Sequence, residues 1–130
     1  MSVSNENNPR IVMVQIGDVS AGAAASLPGM QAIGKDEIKS ITLINNADLA
    51  GDDTDNVQVV LQEKSGPRVL GTYLNDVASG GLTAREGKKL TLAAEADLKL
   101  ADLENVEVDV SHNGTGQALT GAVLMVELIA

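Results

Sequence analysis

Apolar and polar residues alternate along much of the chain in short segments, a pattern typical of β-strands with one buried face. The clearest segment is 56–63, where Val57, Val59 and Leu61 alternate with glutamines. Such segments recur about every dozen residues and are separated by Gly, Asn, Asp and Pro, which is the spacing of a β-sandwich or barrel. We predict strands over 10–17, 37–45, 56–63, 68–74, 88–95, 105–112 and 121–129.

The alternation also predicts how the strands are arranged. Because one face of each strand is apolar and the other polar, the sheets should be antiparallel, with one side in water. We therefore predict an all-β fold, an antiparallel β-sandwich of about seven or eight strands. Its strand order could be jelly-roll-like or immunoglobulin-like, since both orders satisfy the same alternation. Outside 56–63, the predicted inward residues are Leu90, Leu92, Val106, Val108 and Val110.

The first and last predicted strands differ from the others because they are apolar on both faces. They read "IVMVQI" over 11–16 and "AVLMVELI" over 122–129. A strand of this kind lies in the interior of a sheet, or it lies against another subunit. Both interpretations stay open for both strands.

Several segments between the strands carry their own predictions. Residues 17–36 are small and Gly-rich, which predicts a long connection that is functional, mobile or held by a neighbour. Over 94–104 we expect extended backbone, although its Ala, Leu, Glu and Lys also favour a helix. Residues 64–68, "KSGPR", predict a hairpin turn. The polar residues 1–9 predict a flexible arm before a single domain over 10–130.

Composition narrows the classes of function. The chain has 130 residues, a net charge of −9, one Tyr and no Phe, Trp or Cys. An acidic protein without aromatic platforms is poorly suited to nucleic acid, so we expect no nucleic-acid partner. We expect no membrane partner either, since no apolar run approaches the length of a membrane span. The absence of Cys excludes disulfides and thiolate chemistry.

The acidic stretch Asp52–Asn56 is the strongest candidate for a metal site. An EF-hand calcium loop needs Gly at about its sixth position and Glu at about its twelfth. Counted from Asp52, the sixth residue is Val57, and Val57 to Glu63 belong to a predicted strand. We therefore expect a turn whose Asp and Asn side chains bond their own backbone, with a calcium loop of another kind as the alternative.

Candidate catalytic residues are sparse. The single histidine, His112, precedes the turn signal Asn113-Gly114 and should point to solvent. No nucleophile elbow accompanies it, and no pair of carboxylates is singled out by the sequence. Tyr73 should be half-buried with its hydroxyl in water. A single aromatic ring offers little surface on which a sugar could stack. We expect no enzyme activity and no cofactor, which leaves binding to other proteins as the residual function.

At this point the pattern of residues 69–128 resembles the small β-sandwich decoration proteins that stabilise the heads of tailed bacteriophages. An alternating "LTL" at Leu90–Leu92 is followed by an "ADLKLA" piece at Ala96–Ala101. A "VEVDV" strand at Val106–Val110 then ends in a Gly-containing turn at Asn113–Gly116, before a last Val-rich strand. The similarity lies in this order of strands and turns.

The resemblance implies a structural virion protein, made in the host cytoplasm, that binds the capsid exterior and bridges capsid subunits. Its partners would be the major capsid protein and copies of itself, with a homotrimer favoured. A carbohydrate- or cell-surface-binding β-sandwich on a virion is the alternative, and an enzyme or an adhesion domain would be weaker readings. The residues expected to contact the capsid or another subunit are Asn5, Asn8, Arg10, Leu27, Met30 and Ile33.

Overall fold

The structure is a computed structural model that describes residues 9–64 and 68–129. Two antiparallel sheets pack against each other, which confirms the predicted all-β sandwich. Within the described residues, no helix is long and apolar enough to cross a membrane. The strands are β1 (Pro9–Val19), β2 (Ala25–Gln31), β3 (Glu37–Ile44), β4 (Asn56–Glu63), β5 (Val69–Leu74), β6 (Gly87–Lys89), β7 (Thr91–Leu92), β8 (Asn105–Asn113) and β9 (Leu119–Ile129).

The sheets bring together strands that are distant in sequence. The four-stranded sheet has the order β1-β9-β3-β6, and the five-stranded sheet has the order β2-β8-β4-β5-β7. β9 lies between β1 and β3, so the interior position is confirmed for the last strand. For the first strand that interpretation is wrong, because β1 pairs with β9 on one side and forms an edge of the sheet on the other.

The core between the sheets is aliphatic. The predicted inward residues of β4 and β8 are all buried, as are Leu90 and the alternate residues of β9. Leu92 is partly buried and packs against this core. In the four-stranded sheet, Leu124 of β9 lies between Val14 of β1 and Leu43 of β3, and all of these face inward. The period-two pattern therefore predicted the buried face correctly, since successive side chains of a strand point to opposite faces.

The expected long connection over 17–36 is shorter than predicted, because it contains the end of β1 and all of β2. β2 pairs with β8, with a β-bulge between Pro28 and Met30. The bulge inserts Gly29, so Leu27 and Met30 both face inward although they are three positions apart. A Cβ on Gly29 would lie 2.5 Å from the carbonyl oxygen of Val106. Because the bulge adds one residue, the inward positions of β2 do not alternate regularly in the sequence.

The extended backbone expected over 94–104 is wrong where a 3₁₀ helix spans Glu95–Leu98, and again at 102–103, where a turn places Leu103 at a φ of 63°. The residues of this helix follow β7 and have no strand partner, so the N–H of Asp97 instead donates to the carbonyl of Ala94. The predicted strand 88–95 is divided into β6 and β7 by Leu90, which is buried. The turn predicted over 64–68 is centred outside the described residues, but the strands it joins, β4 and β5, are antiparallel neighbours.

Candidate docking face on the four-stranded sheet

Apolar side chains point outward from three neighbouring strands of the four-stranded sheet, with Gln15, Thr42 and Glu127 among them on the same face. The register places Met13 beside Met125, and Val123 beside Ile44. Ile11 and Met13 are 56% and 51% exposed, respectively. These side chains form one continuous apolar patch, because cross-strand neighbours on one face of a sheet lie in contact distance. The residues Ile11, Met13, Ile44, Val123 and Met125 are termed the docking face.

The outward face of the five-stranded sheet is different in character. There the hydroxyl of Ser26 donates to Asp109 (2.9 Å), and the amide of Gln62 donates to Glu107 (3.0 Å). Each pair links neighbouring strands, so these polar groups bond one another across the sheet. A polar face of this kind is typical of a surface that stays in water, whereas a contiguous exposed apolar patch marks a surface for contact with protein.

The docking face carries little charge. Glu127 is the carboxylate beside it, next to Ile11 in the register, and it accepts a hydrogen bond from the hydroxyl of Ser40 (3.2 Å). The chain as a whole has a net charge of −9, and none of the five residues of the docking face contributes to it. Apolar side chains oppose the docking of another protein less through charge repulsion than acidic side chains do.

An ion pair fixes the beginning of β1 next to this face. Arg10 donates from both terminal nitrogens to the two carboxylate oxygens of Asp36, at 3.3 and 2.9 Å. The Asp36 side chain is 1% exposed and also accepts the N–H of Ile33 (2.9 Å). The Arg10 side chain is 39% exposed, and its guanidinium forms the bidentate contact that suits a carboxylate. Arg10 thus satisfies a buried carboxylate at the start of β1.

The residues expected to contact a partner are spread over different environments. Asn5 and Asn8 lie outside the described residues. Met30 is buried in the core, and Leu27 is partly buried against it, since both are on the inward face of β2. Ile33 is 66% exposed in the connection between β2 and β3. Sequence reasoning did not single out the outward side chains of β1, β3 and β9, although the two-faced apolar pattern of the terminal strands was their signal.

The acidic loop before β4 is a hydrogen-bonded turn, as predicted. One carboxylate oxygen of Asp52 accepts the N–H groups of Thr54 (2.8 Å) and Asp55 (2.9 Å). The bond from Asp55 has the larger effect and the bond from Thr54 the smaller one, and both lower the pKa of Asp52 below its ordinary value of 3.8. Asp55 in turn accepts the N–H of Thr115 (2.8 Å), which ties the loop to the turn after β8. In the part of the chain that the structure describes, no three acidic or histidine side chains are placed to hold a metal ion.

His112 does not point to solvent, and that prediction is wrong. It pairs in register with Val57, which is fully buried, so the ring faces inward at the end of the sandwich. Its Nε2 lies 2.9 Å from the carbonyl oxygen of Gln117, which requires that nitrogen to carry the proton. Its Nδ1 is buried and has no hydrogen-bond partner among the described residues. The ring therefore braces the turn between β8 and β9.

Tyr73 is also more deeply placed than predicted. The residue is 3% exposed, and its hydroxyl donates to the carbonyl oxygen of Gly80 (2.8 Å) instead of lying in water. It is the one aromatic residue of the sequence. The aromatic platform on which a sugar-binding role depended is therefore inside the protein.

Burial, with a smaller effect from the nearby charge of Asp76, raises the pKa of Tyr73 to about 12. We expect the absorbance change of phenol ionisation to have its midpoint near pH 12 in the folded protein and near the ordinary value of 10 in urea. The folded state favours the neutral phenol, so this stabilisation is complete below pH 10 and is lost as the pH rises towards 12. Tyr73→Phe, which cannot ionise, is the control, and a midpoint near 10 in folded protein would contradict the buried position.

The described surface has open clefts, among them clefts of about 450, 440 and 480 Å³. The first follows β2 and is lined in part by Leu27 and Met30. The second contains Asp36, whose carboxylate is already engaged by Arg10. His112 is not among the described residues that line any of the three. The clefts therefore do not bring the candidate catalytic residues together.

No protein-family model matches this chain, and no curated protein matches it in sequence. The likeness to capsid decoration proteins accordingly remains a hypothesis based on the order of strands and turns. Two observations on the described residues do not depend on that likeness: the sandwich fold, and the difference between the outward faces of its two sheets.

Proposed function

We propose that this chain is a structural virion protein that binds the exterior of a tailed-bacteriophage capsid through its docking face. The observation that carries the proposal is the contrast between the two outward faces, apolar around Met13 and Met125 but hydrogen-bonded and polar around Ser26 and Asp109. The resemblance of residues 69–128 to capsid decoration proteins supports the choice of partner, the major capsid protein.

The geometry of the face suits this role. A sheet presents a broad, nearly flat surface, and aliphatic side chains on it gain free energy when a second protein removes them from water. The acidic remainder of the surface would stay in water and keep the free protein soluble.

The stabilising mechanism is linkage between binding and assembly. A protein that binds the assembled lattice but not its separated subunits stabilises the lattice by mass action. A molecule whose docking face spans two neighbouring capsid subunits meets this condition, because its complete binding surface exists only in the shell. The protein would be made in the host cytoplasm and would act on the capsid exterior, with no cofactor and no chemical step.

A charge placed in the docking face should weaken this binding strongly. Met125→Lys puts an ammonium into the contact, which costs about 2 to 3 kcal/mol and weakens binding by about 30- to 150-fold. We would measure co-sedimentation with purified, undecorated heads of the virus that encodes the chain. Met125 lies on the central strand β9, so the change does not touch a sheet edge.

Thr72→Lys is the matched control. Thr72 lies on β5 opposite Val60, points outward from the five-stranded sheet and is likewise partly exposed. We expect this variant to bind heads like the unchanged protein, with the same unfolding transition. Full binding by Met125→Lys, or equal loss in both variants, would show that the docking face is not the surface that meets the capsid.

A further inference from the structure

The edges of the two sheets differ in how they are protected against pairing with another strand. β2 carries Pro28 and a bulge, β6 consists of Gly87, Lys88 and Lys89, and β7 is 2 residues long. Proline, bulges, lysines and short length are the usual devices that blunt an edge. β1 is an edge strand of 11 residues, and between Ile11 and Gln15 it has none of these devices.

The hydrogen-bond pattern shows which backbone groups of β1 face outward. The N–H of Leu90 donates to the carbonyl of Ile41, so the backbone groups of Ile41 point towards β6. Those of the next residue, Thr42, must then point towards β9, where Thr42 pairs with Met125. Met125 therefore turns its backbone groups to β3, and Met13, opposite it on the other side, turns its own to the free edge.

The same alternation gives the other outward groups. Ile11 and Gln15 lie two positions on either side of Met13, so their N–H and C=O groups also face the free edge. No described backbone group bonds to them there. The series ends at Pro9, which has no N–H, and at the bulge that follows Gln15. The free donors and acceptors are thus arranged symmetrically about Met13.

We propose that two copies of this protein pair through β1 in antiparallel orientation, with Met13 opposite Met13 of the second copy. In this register Ile11 lies opposite Gln15 of the second copy, and each such pair exchanges two N–H···O bonds. The arrangement is isologous and closes as a dimer. A trimer built by sheet extension would need β1 to pair with a different edge, and the other edges of the described sheets are blunted.

The side chains and the charge of β1 fit this pairing. Residues 11–16 carry no charge, so no like charges meet at the seam, although each copy has a net charge of −9. The overall repulsion is screened by salt, so pairing should strengthen as salt is added. The two-fold axis is perpendicular to the joined sheet, so both docking faces point to the same side and the dimer presents that face twice.

Sedimentation equilibrium of the free protein tests the pairing without any capsid, so its result is independent of the proposed function. We expect a monomer–dimer equilibrium in the unchanged protein. Met13→Pro removes the outward N–H and places a ring at the edge while sparing the bonds to β9, and should weaken dimerisation by about 30-fold. Met13→Ala, which keeps the N–H, is the matched control and should change dimerisation by only a few-fold.

Amide hydrogen exchange of the unchanged protein gives a second readout that needs no variant. The N–H groups of Ile11, Met13 and Gln15 should become protected as protein concentration rises, whereas those of Val12 and Val14, which bond β9, should be protected at every concentration. A protein that stays monomeric at high concentration and high salt, a trimer, or exchange at Met13 that does not depend on concentration would each overturn the proposal.

Discussion

Leu124→Ala is expected to lower the free energy of unfolding by about 4 kcal/mol. Leu124 lies at the centre of β9 and is fully buried, with Val14 and Leu43 beside it on the same inward face. Truncation removes apolar surface from the core and leaves a cavity, because neighbours held in two hydrogen-bonded sheets cannot collapse into the space. Chemical denaturation followed by circular dichroism would measure the loss, and for a domain of ordinary stability it is a large part of the total.

Met125→Ala is the matched control for this prediction. Met125 is the next residue of the same strand but points outward and is partly exposed, so its truncation should cost less than about 1 kcal/mol. The difference between the two variants tests the register of β9 directly, since a slip of one residue exchanges the two faces. Equal losses in both variants would contradict the assignment of faces on which the docking face depends.

Arg10→Met is expected to lower the free energy of unfolding by about 2 kcal/mol. The substitution keeps an apolar side chain of similar length, so the loss reports the missing charge rather than missing packing. It leaves the carboxylate of Asp36 buried without its bidentate partner. The partial exposure of Arg10 lets water replace some of the contact, which is why the loss should be smaller than for a fully buried pair.

The double variant Arg10→Met with Asp36→Asn separates stability from partner contact. Removing the carboxylate charge as well, while an amide oxygen can still accept the N–H of Ile33, should restore part of the lost stability. If Arg10 also contacts the capsid, the double variant will regain stability but not binding to heads. Unchanged stability in Arg10→Met alone would show that Asp36 does not need this partner.

The strands with clean alternation were predictable because a strand with one buried face and one face in water needs apolar and polar residues in turn. The boundaries of β4 agree with the prediction, and the inward residues of β8 are the predicted ones. The acidic loop was predictable for a similar reason. Asp52 bonds N–H groups two and three residues away, an interaction that depends on local sequence alone.

β2 was missed because its pattern is not local. Pro28 and Gly29 read as turn residues, yet the bulge at Gly29 lets the strand pair with β8 and keeps Leu27 and Met30 inward. The space available at Gly29 is set by the backbone of Val106, far away in the chain. Likewise His112 and Tyr73 face inward because of the strands paired with them, which no residue next to them in sequence reveals.

The sequence by itself determined the fold class, the aliphatic core and the two-faced apolar character of β1 and β9, since each follows from side-chain chemistry and a period of two along one strand. Only the tertiary structure decided that β9 is central and β1 is an edge, and hence that Ile11 and Met13 are exposed on a docking face. The physical reason is that a strand's pattern records which of its faces is apolar but not which strands lie beside it. Which distant segments pair with each other is determined only by the packing of the whole core.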